Sequence, residues 1–176
     1  MGIKVVTGKV RLSYVTLFAA RAQKEGQKAK FSVLLLIPKS DTKTVADIRA
    51  GVEAAKQEGA TQHFGGKVPA GLRTPLRDGD LEKDDPEYKG HWFMNCSSMN
   101  RPQVVDQSLQ PILDADRVYS GCYGRVSIDL YAYNQSGNKG IAAGLNNVQF
   151  LADGEPLSGR SRAEADFTAV EEDFLS

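Results

Sequence analysis

A chain of 176 residues that is 41% hydrophobic carries enough apolar side chains for one domain with its own core, so metal or disulfide staples are not needed. Its 22 basic and 22 acidic residues cancel, yet the last fourteen positions hold five carboxylates and no Lys or Arg, leaving 22 against 17 before them, a body near +5. Cys96 and Cys122 read as buried thiols of a reducing compartment, and the longest apolar run, residues 31–37, is too short to cross a bilayer, so a soluble cytoplasmic protein is expected.

Residues 10–20 alternate, with Lys9, Arg11 and Ser13 on one parity and Val10, Leu12 and Tyr14 on the other. That is the pattern of a half-buried strand with a basic outer face. Residues 21–30 are charged and break the alternation as a hairpin loop does, and residues 31–37 read as a strand covered on both faces and ended by Pro38. Thr44 with Asp47 forms a capping box, and Val45, Ile48, Val52 and Ala55 recur at helical spacing before Gly59, which predicts a helix over residues 45–58. Residues 60–90 mix glycine, proline and charge without period and predict a long loop or arm.

Residues 91–98 predict a strand with Trp92, Met94 and Cys96 on one side. Trp92 and Phe93 straddle its two faces, so one belongs to the core and the other is a candidate for stacking. After a turn near residues 101–111, with a short extended pairing at Val104 and Val105, residues 122–133 alternate most cleanly. Val126, Ile128, Leu130 and Ala132 face one way, and Tyr123, Arg125, Ser127, Asp129, Tyr131 and Tyr133 face the other. Residues 134–137 form a hairpin turn, with residues 140–151 as the returning strand. Several strands, one secure helix and glycine-rich turns predict an all-β fold, a small β-barrel capped by a helix, rather than an α/β fold.

The outward row of the 122–133 strand is the strongest local feature, because tyrosines beside Arg125 make a platform on which bases stack while a guanidinium meets phosphate. The competing reading is that these rings cover a loop or a partner protein. Lys9, Arg11, Lys28, Lys30, Arg101, Arg125, Lys139 and Arg160 are candidates for a phosphate-tracking groove, and their weight lies in the basic excess of the body. Enzyme signals are weak. His63 and His91 fit no zinc or triad spacing, and Asp78, Asp80, Glu82, Asp84 and Asp85 miss a calcium-loop register. Residues 65–71 lack a Walker ending, so no catalytic residue, metal or cofactor is assigned.

Three stretches carry a resemblance: FSVLLLIPKSD at residues 31–41, SGCYGRVSIDLYAYNQSGNKGIAAGLNNVQFLADGEPLSGR at residues 120–160, and the acidic ending. Together they resemble the bacteriophage single-stranded DNA-binding proteins of the Enc34 type. The resemblance implies an OB-fold, a five-stranded barrel binding single-stranded DNA with little sequence preference during phage replication or recombination. It implies a binding domain over residues 1–162 and an acidic tail over residues 163–176. Tyr123, Tyr131, Tyr133, Trp92 and Phe31 are then the expected stacking residues, beside the cations named above. In the tail, Glu164, Asp166, Phe167, Glu171, Glu172, Asp173 and Phe174 are expected to compete for the cleft and to contact phage replication or recombination proteins. The tip, Asp173 to Ser176, departs from the proline-phenylalanine ending of bacterial single-stranded DNA-binding proteins. An exposed barrel edge or the tyrosine face also offers a second copy a place to form a homodimer. The alternative to DNA binding is a protein-interaction or structural β-barrel module.

Overall fold

The structure is a computed structural model that describes residues 2–22 and 24–157. In chain order the elements are β1 (Ile3–Val6), β2 (Val10–Arg21), β3 (Lys30–Pro38), α1 (Thr42–Gln62), β4 (Arg77–Asp78), α2 (Gly79–Glu82), β5 (His91–Ser98), β6 (Gln103–Val105), β7 (Tyr123–Gln135) and β8 (Asn138–Ala152). β2 pairs with β3, β3 with β5, and β7 with both β2 and β8, all antiparallel. β8 returns to β5 in parallel, with Ser97 opposite Gly144. The ring β2-β3-β5-β8-β7 is the five-stranded barrel of an OB-fold. β1 extends the β7 edge beyond β2, and β6 adds to β8 in parallel.

Strand period decides what fills the barrel. Val33, Leu35 and Ile37 of β3, Met94 and Cys96 of β5, and Val126, Ile128 and Leu130 of β7 all point inward into one core. β3 is also covered outside, where Leu36 joins Phe93 and Tyr88 in a second cluster, which accounts for its continuous apolar run. Cys96 and Cys122 are unpaired and buried, and burial pushes the Cys96 thiol up to about 12.

Helix α1 presents Thr44, Ile48, Gly51, Val52, Ala55 and Gly59 to the sheet. A Cβ at Gly51 would overlap Leu130, and one at Gly59 would overlap Ala132. Bare backbone at these two positions lets the helix lie directly on β7. The cap is one turn earlier than the capping-box pattern predicts: Asp41, not Thr44, is the N-cap, its carboxylate accepting from the Thr44 backbone N–H at 3.1 Å and from the Thr44 hydroxyl at 2.6 Å. The Thr44 hydroxyl oxygen in turn accepts from the Gly8 backbone N–H at 2.9 Å, stitching the helix start to the β1–β2 turn.

The structure departs from the sequence reading at three further places. β1, the short edge strand, has no counterpart in the sequence reading. Residues 60–90 are not one loop, since α1 runs on to Gln62 and β4, α2 and a 3-10 turn at Pro86–Tyr88 follow. Lys39 pins this excursion, its Nζ donating to Asp78 and Asp80 at 2.7 Å each. Those hydrogen bonds raise the Lys39 pKa and hold both carboxyls below their ordinary range. Tyr14 does not share the inward row of Val10 and Leu12. The β2–β3 register shifts between Ser13 and Thr16, Tyr14 takes a left-handed φ of 47°, and its ring is thrown outward while Ser13 is buried.

Candidate nucleic-acid interface

On the outer face of β3 and β5, Ser32 lies opposite Ser97 and Leu34 opposite Asn95, a floor of small and short side chains. One end is closed by the Leu36, Phe93 and Tyr88 cluster, in which the two rings meet edge to face at 5.2 Å. Over the rest of the floor a recess is lined by Tyr14, Thr16 and Arg21 of β2 together with Ser32 and Asn95. It shares those last two residues with a second recess carrying Lys28 and Lys30. The second shares Ser97 with a cleft of about 710 Å³ between the end of α1, Met99 and Asn100 after β5, and Tyr131 and Tyr133 of β7. Beyond it lies a polar recess lined by Lys4, Arg101, Ser127, Asn146 and Asn147.

β8 makes room for the tyrosines of the cleft. A Cβ on Gly140 would lie within 3.0 Å of the hydroxyl end of Tyr133, so that side chain packs on bare backbone. Tyr131 is 39% exposed, and burial of the rest, with a smaller push from Tyr133, raises its phenol above the ordinary value. The hydroxyl, protonated at neutral pH as any ordinary phenol is, offers a hydrogen-bond donor there. The β7–β8 hairpin walls the cleft, held to the helix by Asn134 Nδ2 donating to the His63 carbonyl at 3.0 Å. Ser136 and Gly137 both take positive φ, as a tight hairpin turn requires. Lys139 sits on that hairpin opposite Asn134, partly exposed.

The fold separates residues that the strand pattern groups together. Tyr123 and Tyr131 share a parity, but eight residues of strand place them about 26 Å apart. Around Tyr123 lie Lys9 at 4.9 Å and Arg11 at 5.8 Å from the ring centroid. Arg11 donates to the Gly121 and Glu155 carbonyls, and Arg125 to the Thr7 carbonyl. This second basic patch is knitted into the backbone at the far end of β7. Phe31 packs against the core, on the opposite face of β3 from Ser32 and Leu34. Phe93 is 4% exposed in the outer cluster. Trp92 packs against the core with Lys39 and Arg49 about 5 Å from its ring centroid, so its ring is already engaged. Arg101 donates to the Phe18 carbonyl at 2.8 Å while lining the polar recess. Arg160 and the acidic tail lie outside the described residues.

Three groove residues escape the sequence reading: Tyr14, Arg21 and Lys4. Only the bulge in β2 exposes the first, and the charge of the other two is indistinguishable in sequence from any solvated lysine or arginine. Among the described residues no group of three His, Cys, Asp or Glu is arranged to hold a metal ion, and no helix is long and apolar enough to cross a membrane.

Comparison with known proteins agrees with this architecture. The chain is 34% identical to putative protein p50 of Acyrthosiphon pisum secondary endosymbiont phage 1, over 98% of each chain. Its fold is similar to the single-stranded DNA-binding protein of bacteriophage Enc34 in complex with single-stranded DNA, with a TM-score of 0.79 and 26% identity over 88% of this chain and 89% of that one. It also shares the fold of gp2.5, a single-stranded DNA-binding protein encoded by bacteriophage T7, with a TM-score of 0.65 and 16% identity over 98% of this chain and 97% of that one. Residues 3–175 match the family described as Enterobacter phage Enc34, ssDNA-binding protein, and the chain belongs to that family.

Proposed function

We propose that this chain binds single-stranded DNA with little sequence preference, protecting it during phage replication or recombination in the cytoplasm of the infected bacterium. The observation that carries the reading is the continuity of the groove. Two recesses on the outer face of β3 and β5, the tyrosine cleft and the polar recess beyond it adjoin one another, and the β3–β5 face and neighbouring loops are where OB barrels take oligonucleotides. Tyr14, Tyr131 and Tyr133 supply π-faces for unstacked bases, which every base can use, and this underlies sequence tolerance. Arg21, Lys28, Lys30, Lys4 and Arg101 border the track and supply counterion-releasing contacts to phosphate. Lys139 extends the cationic rim at the hairpin. The patch of Lys9, Arg11, Tyr123 and Arg125 is a separate surface that a longer strand reaches after leaving the cleft. Among the described residues no group of His, Cys, Asp or Glu is arranged to hold a metal ion, and the reading proposed is non-enzymatic.

The acidic tail completes the reading. Its five carboxylates and Phe167 and Phe174 compete with DNA for the basic groove and, once displaced, contact replication or recombination proteins. Fluorescence anisotropy with a labelled oligonucleotide, single-stranded against duplex and across a salt series, tests the core of the proposal. Single strands should bind far more tightly than duplex, with log K falling against log salt with a slope of about −3.5, as five phosphate contacts require. Equal affinity for duplex, or a slope near zero, contradicts it.

A further inference from the structure

Asp129 is out of place in a phosphate-binding groove. It stands between Ser127 and Tyr131 on the outward row of β7 and lines both the tyrosine cleft and the adjoining polar recess. No hydrogen bond or ion pair among the described residues engages its carboxylate, although Lys4 lies opposite it in register. Beside it, the Ser127 hydroxyl oxygen is shielded from solvent and has no hydrogen-bond partner. An ionised carboxylate repels a phosphate, so the strand's backbone must run along the Lys4 and Arg101 rim here and turn its bases toward the floor.

The floor is shaped for one base edge. Gly144 lies at the seam of the barrel, opposite Ser97 on β5 and Asp129 on β7. A Cβ there would sit 3.4 Å from Tyr131 Cε1 and 3.9 Å from Asp129 Cβ, so the Tyr131 ring and the base of the Asp129 side chain border the same patch of bare backbone. A base stacked on Tyr131 therefore presents its edge to Asp129, with the Asn100 and Asn146 amides on the same wall.

An ionised carboxylate only accepts hydrogen bonds. Guanine offers it two adjacent donors on its Watson–Crick edge, N1–H and the N2 amino group, matching the two carboxylate oxygens. Thymine offers one N–H flanked by two carbonyl oxygens that the carboxylate repels. Cytosine and adenine offer one amino group beside an acceptor nitrogen. We propose that Asp129 and Tyr131 form a base-reading subsite that favours guanine within an otherwise sequence-tolerant groove. The proposal rests on the single-strand reading above.

The test compares an all-thymine oligonucleotide with one of the same length carrying isolated guanines, spaced to prevent quadruplexes, and with an inosine version that lacks the N2 amino group. Wild type should bind the guanine strand about fivefold more tightly than the all-thymine strand, with inosine between them. Asp129→Ala and Asp129→Asn, with unchanged melting temperatures, should lose most of the guanine preference, each binding the guanine and all-thymine strands within about twofold of one another. Equal wild-type affinities, or a preference that survives Asp129→Ala, would overturn it while leaving single-strand binding intact. Failure of every oligonucleotide to bind would instead overturn the functional reading beneath it.

Discussion

The left-handed turn at Tyr14 leaves its ring 68% exposed above the groove, whereas the chain's one tryptophan, Trp92, is packed against the core and flanked by two cations. Aromatic type alone does not separate these roles, because both residues sit on strands whose parity points them inward. Their environments do, and they make opposite predictions. Tyr14→Ala and Tyr131→Ala should each weaken single-strand affinity by about 1–3 kcal/mol, the range for one lost base stack, with melting temperature unchanged. Trp92→Phe should leave affinity unaltered and lower the urea midpoint, since the indole contributes packing and cation–π contact. Anisotropy and chemical denaturation on the same three variants decide the assignment. An affinity loss in Trp92→Phe matching that of Tyr131→Ala would return the tryptophan to the ligand face.

Helix α1 lies on β7 because Gly51 and Gly59 leave space for Leu130 and Ala132, and this contact forms one wall of the tyrosine cleft. Gly59→Leu should therefore do two things together. Overpacking against Ala132 should cost about 2–3 kcal/mol, seen as a fall in the urea midpoint at unchanged slope. Lifting the end of the helix should also loosen the His63 to Asn134 link and reduce oligonucleotide affinity. A stability loss with binding fully retained would show that the cleft does not depend on the helix end. The strands of the barrel and the core of this helix were legible from alternation and helical spacing, and residues 91–98 match β5 end for end. β1 was not legible. Four residues cannot establish a period, and its existence depends on pairing with β7.

Across the whole molecule, the charge division has a testable consequence. A body near +5 (22 against 17) facing a tail of five carboxylates should hold that tail electrostatically, so deleting residues 163–176 should tighten single-strand binding several-fold at low salt and little at high salt. Titrations of full-length and shortened protein that coincide at every ionic strength would remove the competition from the reading. The sequence by itself determined the all-β class, the barrel-lining rows, the helix, the outward row of β7 and the polarity of charge, because each is written as a local period or a composition. Only the tertiary structure decided which outward residues meet. It closed a cleft over Tyr131 and Tyr133 with the end of α1, left Tyr123 to a separate basic patch, packed Trp92 against the core, turned Tyr14 out through a bulge, and brought Asn100 and Gly144 to the cleft that Asp129 and Tyr131 line. Those outcomes depend on register and on contacts between residues distant along the chain, which alternation along a single strand does not encode.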